Sequence, residues 1–343
     1  TRICRLAEHV LILTGGKGPC YKRIMHSRAI PYRLFYAAVV TNLWLTIGCS
    51  GAQLYPPRGM DFEARCTAVA AVRCFGFDSS AQTEPHVYPP WGQTTKRGII
   101  VNDIKASGAG SLRFEIPPRS GSDSSGAFWL NFSDDLSVQF GEYEEFYVQW
   151  RQRFSKEFLR TNYLGGGGWK QAIIGEGDRP GATAYSCTEL ELVVNNPYHL
   201  GYPAMYHSCG GKDGGFEGLF ASDSVAYEPD EWMTFQMQVK IGTWYKNDGR
   251  YHQDSTVRLW VARQGRPSKL VVNMSPEPMT FFGLKIPGTG SGYDLVNTER
   301  EAKYGKIWLL PYNTHKDASE DHPPAYTWYD ELIIARSLIP DPS

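Results

Sequence analysis

Apolar and polar side chains alternate with a period of two along much of the chain from about residue 97 onward. Over 147–154, Gln149, Arg151 and Arg153 fall on one side, and Val148, Trp150 and Phe154 on the other. Gln236, Gln238 and Lys240 oppose Phe235, Met237, Val239 and Ile241 over 232–241, and Glu189, Glu191 and Asn195 oppose Leu190, Leu192 and Val194 over 189–195. Successive side chains of a strand leave on opposite faces, so each stretch predicts a strand with one dry and one polar face. Further strands are read at 98–104, 111–116, 126–132, 170–176, 204–208, 255–262, 269–273, 305–312 and 328–335. Turn-forming clusters at 120–125, 165–168, 210–215 and 288–292 separate them, and only 156–160 and 295–303 read as short helices. Many short strands divided by turn signals predict an all-β fold, an antiparallel β-sandwich. The polar faces of the three alternating strands are expected to converge into one wet trough.

The N-terminal part has a different pattern. From Met25 a basic stretch with Arg28 and Arg33 leads into an apolar run over 34–47 that ends at Gly48-Cys49-Ser50-Gly51. Basic, apolar and small-residue regions in that order predict an export signal over 25–49, too short and wrongly flanked for a membrane span. Thr46-Ile47-Gly48-Cys49 is similar to a bacterial lipobox, with Thr where Leu is usual, which makes Cys49 the expected lipidation site and a lipid anchor the expected link to a membrane. Residues 1–24 precede that Met and are read as translated upstream sequence or a fragment edge. Residues 50–96, punctuated by Pro56-Pro57 and Pro89-Pro90, are expected to wrap the domain as an N-terminal arm, leaving 97–343 as the sandwich.

Cysteine usage fits an exported, secreted or outer-surface protein. Cys66, Cys74, Cys187 and Cys209 lie beyond the leader and signal, and four cysteines in an oxidising compartment suggest two disulfides, with Cys66–Cys74 and Cys187–Cys209 as the local choice among three connectivities. No CxxC or neighbouring Cys/His pair argues for zinc, and no required metal or cofactor is expected. Structural calcium is allowed for by the carboxylates of 317–321. With 35 basic and 36 acidic residues, the chain offers no charge reason to bind nucleic acid. The 10 Trp, 20 Tyr and 16 Phe suit stacking on sugar C–H faces as well as a large sandwich core. The chain is read as a monomer. P-loop, dinucleotide-binding, HExxH and GxSxG motifs are absent from it.

Three segments carry a family resemblance. Thr188-Glu189-Leu190, then Tyr304-Gly305-Lys306 with Tyr312-Asn313, and the closing stretch 326–334 (YTWYDELII) resemble the concanavalin-A-like jelly roll of polysaccharide lyases, alginate and glucuronan lyases in particular. The resemblance covers roughly 97–340. It implies a polysaccharide partner and β-elimination at a uronate. This chain departs from the pattern at Cys187 and Glu191, where the family strand has Arg. It departs again after Gln171, where Ala172-Ile173 replaces the Gln-x-His pattern, and Tyr304 and Tyr312 stand further apart than the motif requires.

β-Elimination needs a base for the C5 proton, an acid for the leaving oxygen, and donors that neutralise the uronate carboxylate. Lys170 and His207 are the candidate bases. Tyr206, Tyr304 and Tyr312 are the candidate acids, and Arg151, Gln171 and Asn195 the candidate neutralisers. Arg153, Glu189, Glu191, Gln236, Gln238, Lys306, Trp308 and Asn313 complete the expected substrate-binding set. A sandwich hydrolase using Glu189 and Glu191 is one alternative: side chains two apart on a strand lie roughly 7 Å from one another, within the range of about 6.5–9.5 Å of inverting glycosidases. Val193 stands where such enzymes carry a third acid. A lectin-like binding protein, holding sugar on Trp169, Trp244, Trp308 or Trp328, is the other.

Overall fold

The computed structural model describes residues 60–164, 168–177, 201–208, 225–244, 248–250, 252–281, 284–295 and 303–343, and the backbone of 191–196. Its strands are β1 (Arg73–Phe75), β2 (Val87–Tyr88), β3 (Ile99–Val101), β4 (Ser111–Ile116), β5 (Ala127–Asn131), β6 (Glu145–Phe154), β7 (Trp169–Glu176) and β8 (Glu191–Asn196). They continue with β9 (Ala204–Ser208), β10 (Trp232–Lys240), β11 (Thr256–Arg263), β12 (Lys269–Met274), β13 (Met279–Phe281), β14 (Leu284–Ile286), β15 (Tyr304–Tyr312) and β16 (Ala325–Ala335). The helices are short: α1 (Phe62–Ala68), α2 (Ser80–Thr83) and α3 (Lys156–Arg160). One sheet runs β12-β11-β10-β6-β16-β4-β3 with β1 also paired to β16, the second runs β2-β5-β15-β7-β8-β9, and β13–β14 is a separate hairpin. Every strand pairing among the described residues is antiparallel. The fold is the all-β antiparallel sandwich that the sequence led us to expect.

The dry faces meet as expected. Val148 and Trp150 of β6, with Phe235, Met237 and Val239 of β10, pack in one core with Phe128 and Leu130 of β5, Ala172 and Ile174 of β7, and Ile307 and Leu309 of β15. Trp150 stacks on Phe235 with ring centroids 5.4 Å apart. Truncating such a buried aromatic costs about 3–5 kcal/mol.

The N-terminal arm does more than wrap. It supplies β1 to the first sheet and β2 to the second, and α1 lies over the outer face of the first. Asp61 caps α1 by accepting the Ala64 N–H at 2.7 Å. The expected Cys66–Cys74 disulfide is present and ties α1 to β1 across a Cα–Cα distance of 6.3 Å. Cys49, Cys187 and Cys209 lie outside the described residues.

The expected trough does not form on the first sheet. Gln149, Arg151, Gln236 and Gln238 are all at least nine-tenths buried, beneath α1 and the segment after β16. Arg65 of α1 donates to Gln149 and to Glu331. The Gln149 amide donates to the Pro340 carbonyl at 3.1 Å, and Arg151 Nη1 lies 3.5 Å from Glu331 Oε1. Gln236 pairs with Ile339 in both senses, donating to its carbonyl at 3.0 Å and accepting its N–H at 2.8 Å. Gln238 donates to Glu145 at 2.7 Å and accepts from Arg258 at 3.1 Å. Burying polar groups demands partners, and here the partners are protein. Arg153 sits on the same sheet, its guanidinium 5.9 Å from the Trp328 ring and 3.5 Å from Asp230. Strand alternation identifies side chains that share a face, but not what covers that face.

Candidate functional site

The outer face of the second sheet carries several of the other expected residues. Antiparallel partners share a face, so register alone sets out its rows. In one, Trp129 of β5, Trp308 of β15, Ile173 of β7, Val193 of β8 and Tyr206 of β9 are successive partners. In the next, Tyr312 stands opposite Lys170, Lys170 opposite Asn195, and Asn195 opposite Ala204. On the other side of the tryptophan row, Lys306 pairs with Asn131 and Gly175, and Glu191 pairs with Ser208.

Two irregularities in β15 bring Tyr312 to Lys170. The eight steps from Tyr304 to Tyr312 run against six from Glu176 to Lys170, with register shifts after Tyr304 and after Leu309. Each shift leaves one extra residue on β15, which is how a β-bulge re-aims a strand. Pro311 falls in the second, where the ladder needs no N–H donor. The wide Tyr304–Tyr312 spacing is absorbed by these two bulges.

The Lys170 ammonium lies 5.1 Å from the centre of the Tyr312 ring, and both residues are half-buried. Lys306 is buried in the aromatic floor, its ammonium 4.6 Å from the Trp308 ring and 5.0 Å from the Trp129 ring. Those indoles stack at 5.4 Å, and Tyr88 stacks on Trp129 at 4.3 Å. Beside them opens a cleft of about 550 Å³ whose lining includes Tyr88, Trp91, Asp123, Trp129, Trp308 and Tyr312. Trp91 is 76% exposed on its rim, and its N–H donates to Asp123 Oδ2 at 2.9 Å. Burial pushes the Asp123 carboxyl above the usual carboxylate range, with the Trp91 N–H pulling the other way.

Several expected site residues are elsewhere. Gln171 points into the core, donates to the Tyr227 hydroxyl, and its carbonyl accepts the Tyr329 hydroxyl at 2.9 Å. Tyr304 is fully buried, its ring 5.8 Å from Phe146 and 5.6 Å from Trp244. His207 is buried and lies two residues from the core residue Met205, on the inner face of β9 and opposite to Tyr206. Asn313 is buried at the end of β15, where its Oδ1 accepts the His315 N–H at 3.1 Å and its own N–H donates to the Ser122 carbonyl at 3.3 Å. Trp169 and Trp244 are core residues, and Trp328 belongs to the first sheet. Glu189 lies outside the described residues.

Among the described residues no group of three or more His, Cys, Asp or Glu is placed to hold a metal ion. In the 317–321 loop the carboxylates are engaged by protein: Asp317 accepts the Ser319 N–H at 2.7 Å, Glu320 accepts the Asp317 N–H at 2.6 Å and the Leu164 N–H at 3.1 Å, and Asp321 pairs with Arg119 at 2.8 Å. No helix among the described residues is long and apolar enough to cross a membrane.

Sequence reasoning missed Tyr88, Trp91, Asp123 and Trp129. Trp129 was within reach, since it alternates with Phe128 and Leu130 on a predicted strand. The Tyr88-Pro89-Pro90-Trp91 segment read only as loop punctuation.

No protein-family model matches the sequence, and no curated protein matches it. Similar solved structures include a PL-14 alginate lyase from Aplysia kurodai, 14% identical with a TM-score of 0.45, covering 79% of this chain and 99% of that one. An endo-β-1,4-glucuronan lyase from Trichoderma reesei is 12% identical with a TM-score of 0.46 over 75% of this chain and 95% of that one. The catalytic domain of a glycoside hydrolase family 131 protein from Coprinopsis cinerea is 12% identical with a TM-score of 0.39 over 80% of this chain and 97% of that one. Likeness at this level transfers neither chemistry nor residue roles.

Proposed function

We propose that the outer face of the second sheet binds an acidic polysaccharide and cleaves it by β-elimination, with Lys170 and Tyr312 at the reacting uronate. The observation that carries this reading is the facing of Lys170 and Tyr312 across β7 and β15, at the edge of an aromatic cleft. Indole and phenol rings suit pyranose C–H faces, and a cation beside them suits the uronate carboxylate. Lys170 meets the uronate as a cation and, once it has passed its ammonium proton to solvent, takes the proton from C5. The freed electron pair forms the C4–C5 double bond, the C4–O bond breaks, and the departing oxygen takes the Tyr312 proton. Water and oxidant are not consumed. Asn195 is the register partner of Lys170 across β7 and β8. Export from the cytoplasm is part of the same reading, and the Cys66–Cys74 disulfide supports it.

Binding without cleavage is a second reading, favoured by the stacked Tyr88–Trp129–Trp308 series. One assay separates the two: the purified protein is incubated with a panel of uronate polymers while ultraviolet absorbance and reducing ends are followed. A lyase raises both, a hydrolase raises reducing ends alone, and a binding protein raises neither while retaining the polymer.

A further inference from the structure

Two charge environments meet on this face. At one end stands the Lys170 cation, over the Tyr312 ring. Tyr312 also lines the aromatic cleft, so the cleft begins one aromatic ring away. Inside the cleft the charged side chain is a carboxylate, Asp123, which makes no ion pair with any described residue and spends one oxygen on the Trp91 N–H. Trp308 forms part of the wall. After folding, the cleft therefore retains an acceptor and ring faces; the Lys306 cation is buried behind those rings, so the charge that a ligand in the cleft touches is that of Asp123, the wrong sign for a uronate.

We infer that the cleft holds a neutral sugar of the same polymer whose uronate lies over Lys170, so that the preferred glycan alternates uronate with a neutral hexose or N-acetylhexosamine instead of being a homopolyuronate. Asp123 would accept sugar hydroxyls, and Tyr88, Trp91, Trp129 and Trp308 would cover the ring faces. A second uronate in the cleft would set its carboxylate against that of Asp123, a like-charge contact worth on the order of tenfold in affinity at a part-solvated site. This inference rests on the preceding one, that a uronate sits at Lys170.

The test is calorimetric binding of tetrasaccharides at fixed pH and salt. One set alternates uronate and neutral sugar (hyaluronan, heparosan and unsulfated chondroitin fragments), and the other is oligoguluronate, oligomannuronate and oligoglucuronate. The wild-type protein should bind at least one alternating fragment about tenfold or more tighter than any homopolyuronate. Asp123→Asn keeps an acceptor for the Trp91 N–H and should close that gap to within about threefold, by strengthening homopolyuronate binding. Equal or tighter wild-type binding of homopolyuronates, or a ratio unmoved by Asp123→Asn, overturns the inference while leaving a uronate site intact. Lys170→Ala reports on the premise: unchanged binding of both sets in that variant would remove the uronate from Lys170, and both readings with it.

Discussion

Lys170 of β7 and Tyr312 of β15 are register partners, with the lysine ammonium 5.1 Å from the centre of the tyrosine ring. They come from segments far apart in sequence and meet because β15 carries two bulges. If they form the acid and base of an elimination, Lys170→Ala and Tyr312→Phe should each lower kcat by about 10²-fold or more. Both are half-buried on an outer face, so the thermal unfolding midpoint should barely move. Wild-type turnover in either variant, measured on whichever polymer the protein cleaves, would remove that residue from the mechanism.

The buried seam on the first sheet leads to the opposite expectation. Arg65 joins α1 to Gln149 and Glu331, and burial lowers its pKa while Glu331 raises it. Arg65→Ala strands a buried carboxylate that keeps only Arg151 at 3.5 Å, a loss of about 3–5 kcal/mol. Urea unfolding should show it as a lower midpoint, and turnover per folded molecule should be unchanged. A fall in activity without a fall in stability would return this face to the functional site.

Period-two alternation located the long strands well, because a half-buried strand must alternate. The short strands β1, β2, β13 and β14 are two or three residues long and hold no pattern to read. Helix α1 was legible in principle, since Asp61 followed by Glu63 is an N-cap with an acidic first turn. What local pattern could not supply was coverage and register. Gln149, Arg151, Gln236 and Gln238 look as wet in sequence as Lys170 and Tyr312 do. Which set is buried depends on where α1 and the 336–343 segment settle, and no repeat encodes that. The inward turn of Gln171 likewise follows from the register shift between Lys170 and Ala172 in the β7–β8 pairing.

The Cys66–Cys74 disulfide closes a loop of sequence separation 8 and holds α1, with Arg65 on it, against β1. Cross-linking a loop that short restricts the unfolded chain modestly, by about 2 kcal/mol. A Cys66→Ser/Cys74→Ser double variant should lose about that much stability in chemical denaturation. Because the bond and the Arg65 seam fasten the same helix, combining it with Arg65→Ala should cost less than the two separate losses added together. Strict additivity would mean that the two restraints act on independent parts of the fold.

Asp330 gives the fold a pH dependence of defined sign. Its Oδ2 accepts the Ala106 and Ser107 N–H groups at 2.8 and 3.2 Å, and Oδ1 accepts the Glu331 N–H at 2.8 Å. Burial nevertheless pushes its carboxyl up to about 7, with the Glu331 charge adding to the rise and the backbone donors opposing it. In the unfolded chain the same group titrates at about 3.9. The native state therefore holds this proton more tightly. The stability so gained is complete below about pH 4 and is lost progressively as pH climbs to about 7, where native Asp330 ionises as well. Asp330→Asn cannot ionise and cannot offer both oxygens to the three donors, so it carries an offset that pH does not change. Measured against that variant, the wild-type protein should lose about 1.4 kcal/mol per pH unit between pH 4 and 7, and no more above that window. Unfolding free energies from urea titrations of both proteins at pH 4, 5.5, 7 and 8 trace the difference directly. A difference that stays level across those four points would place the ionisation of Asp330 in the folded protein near its ordinary value, with the three backbone N–H groups outweighing burial.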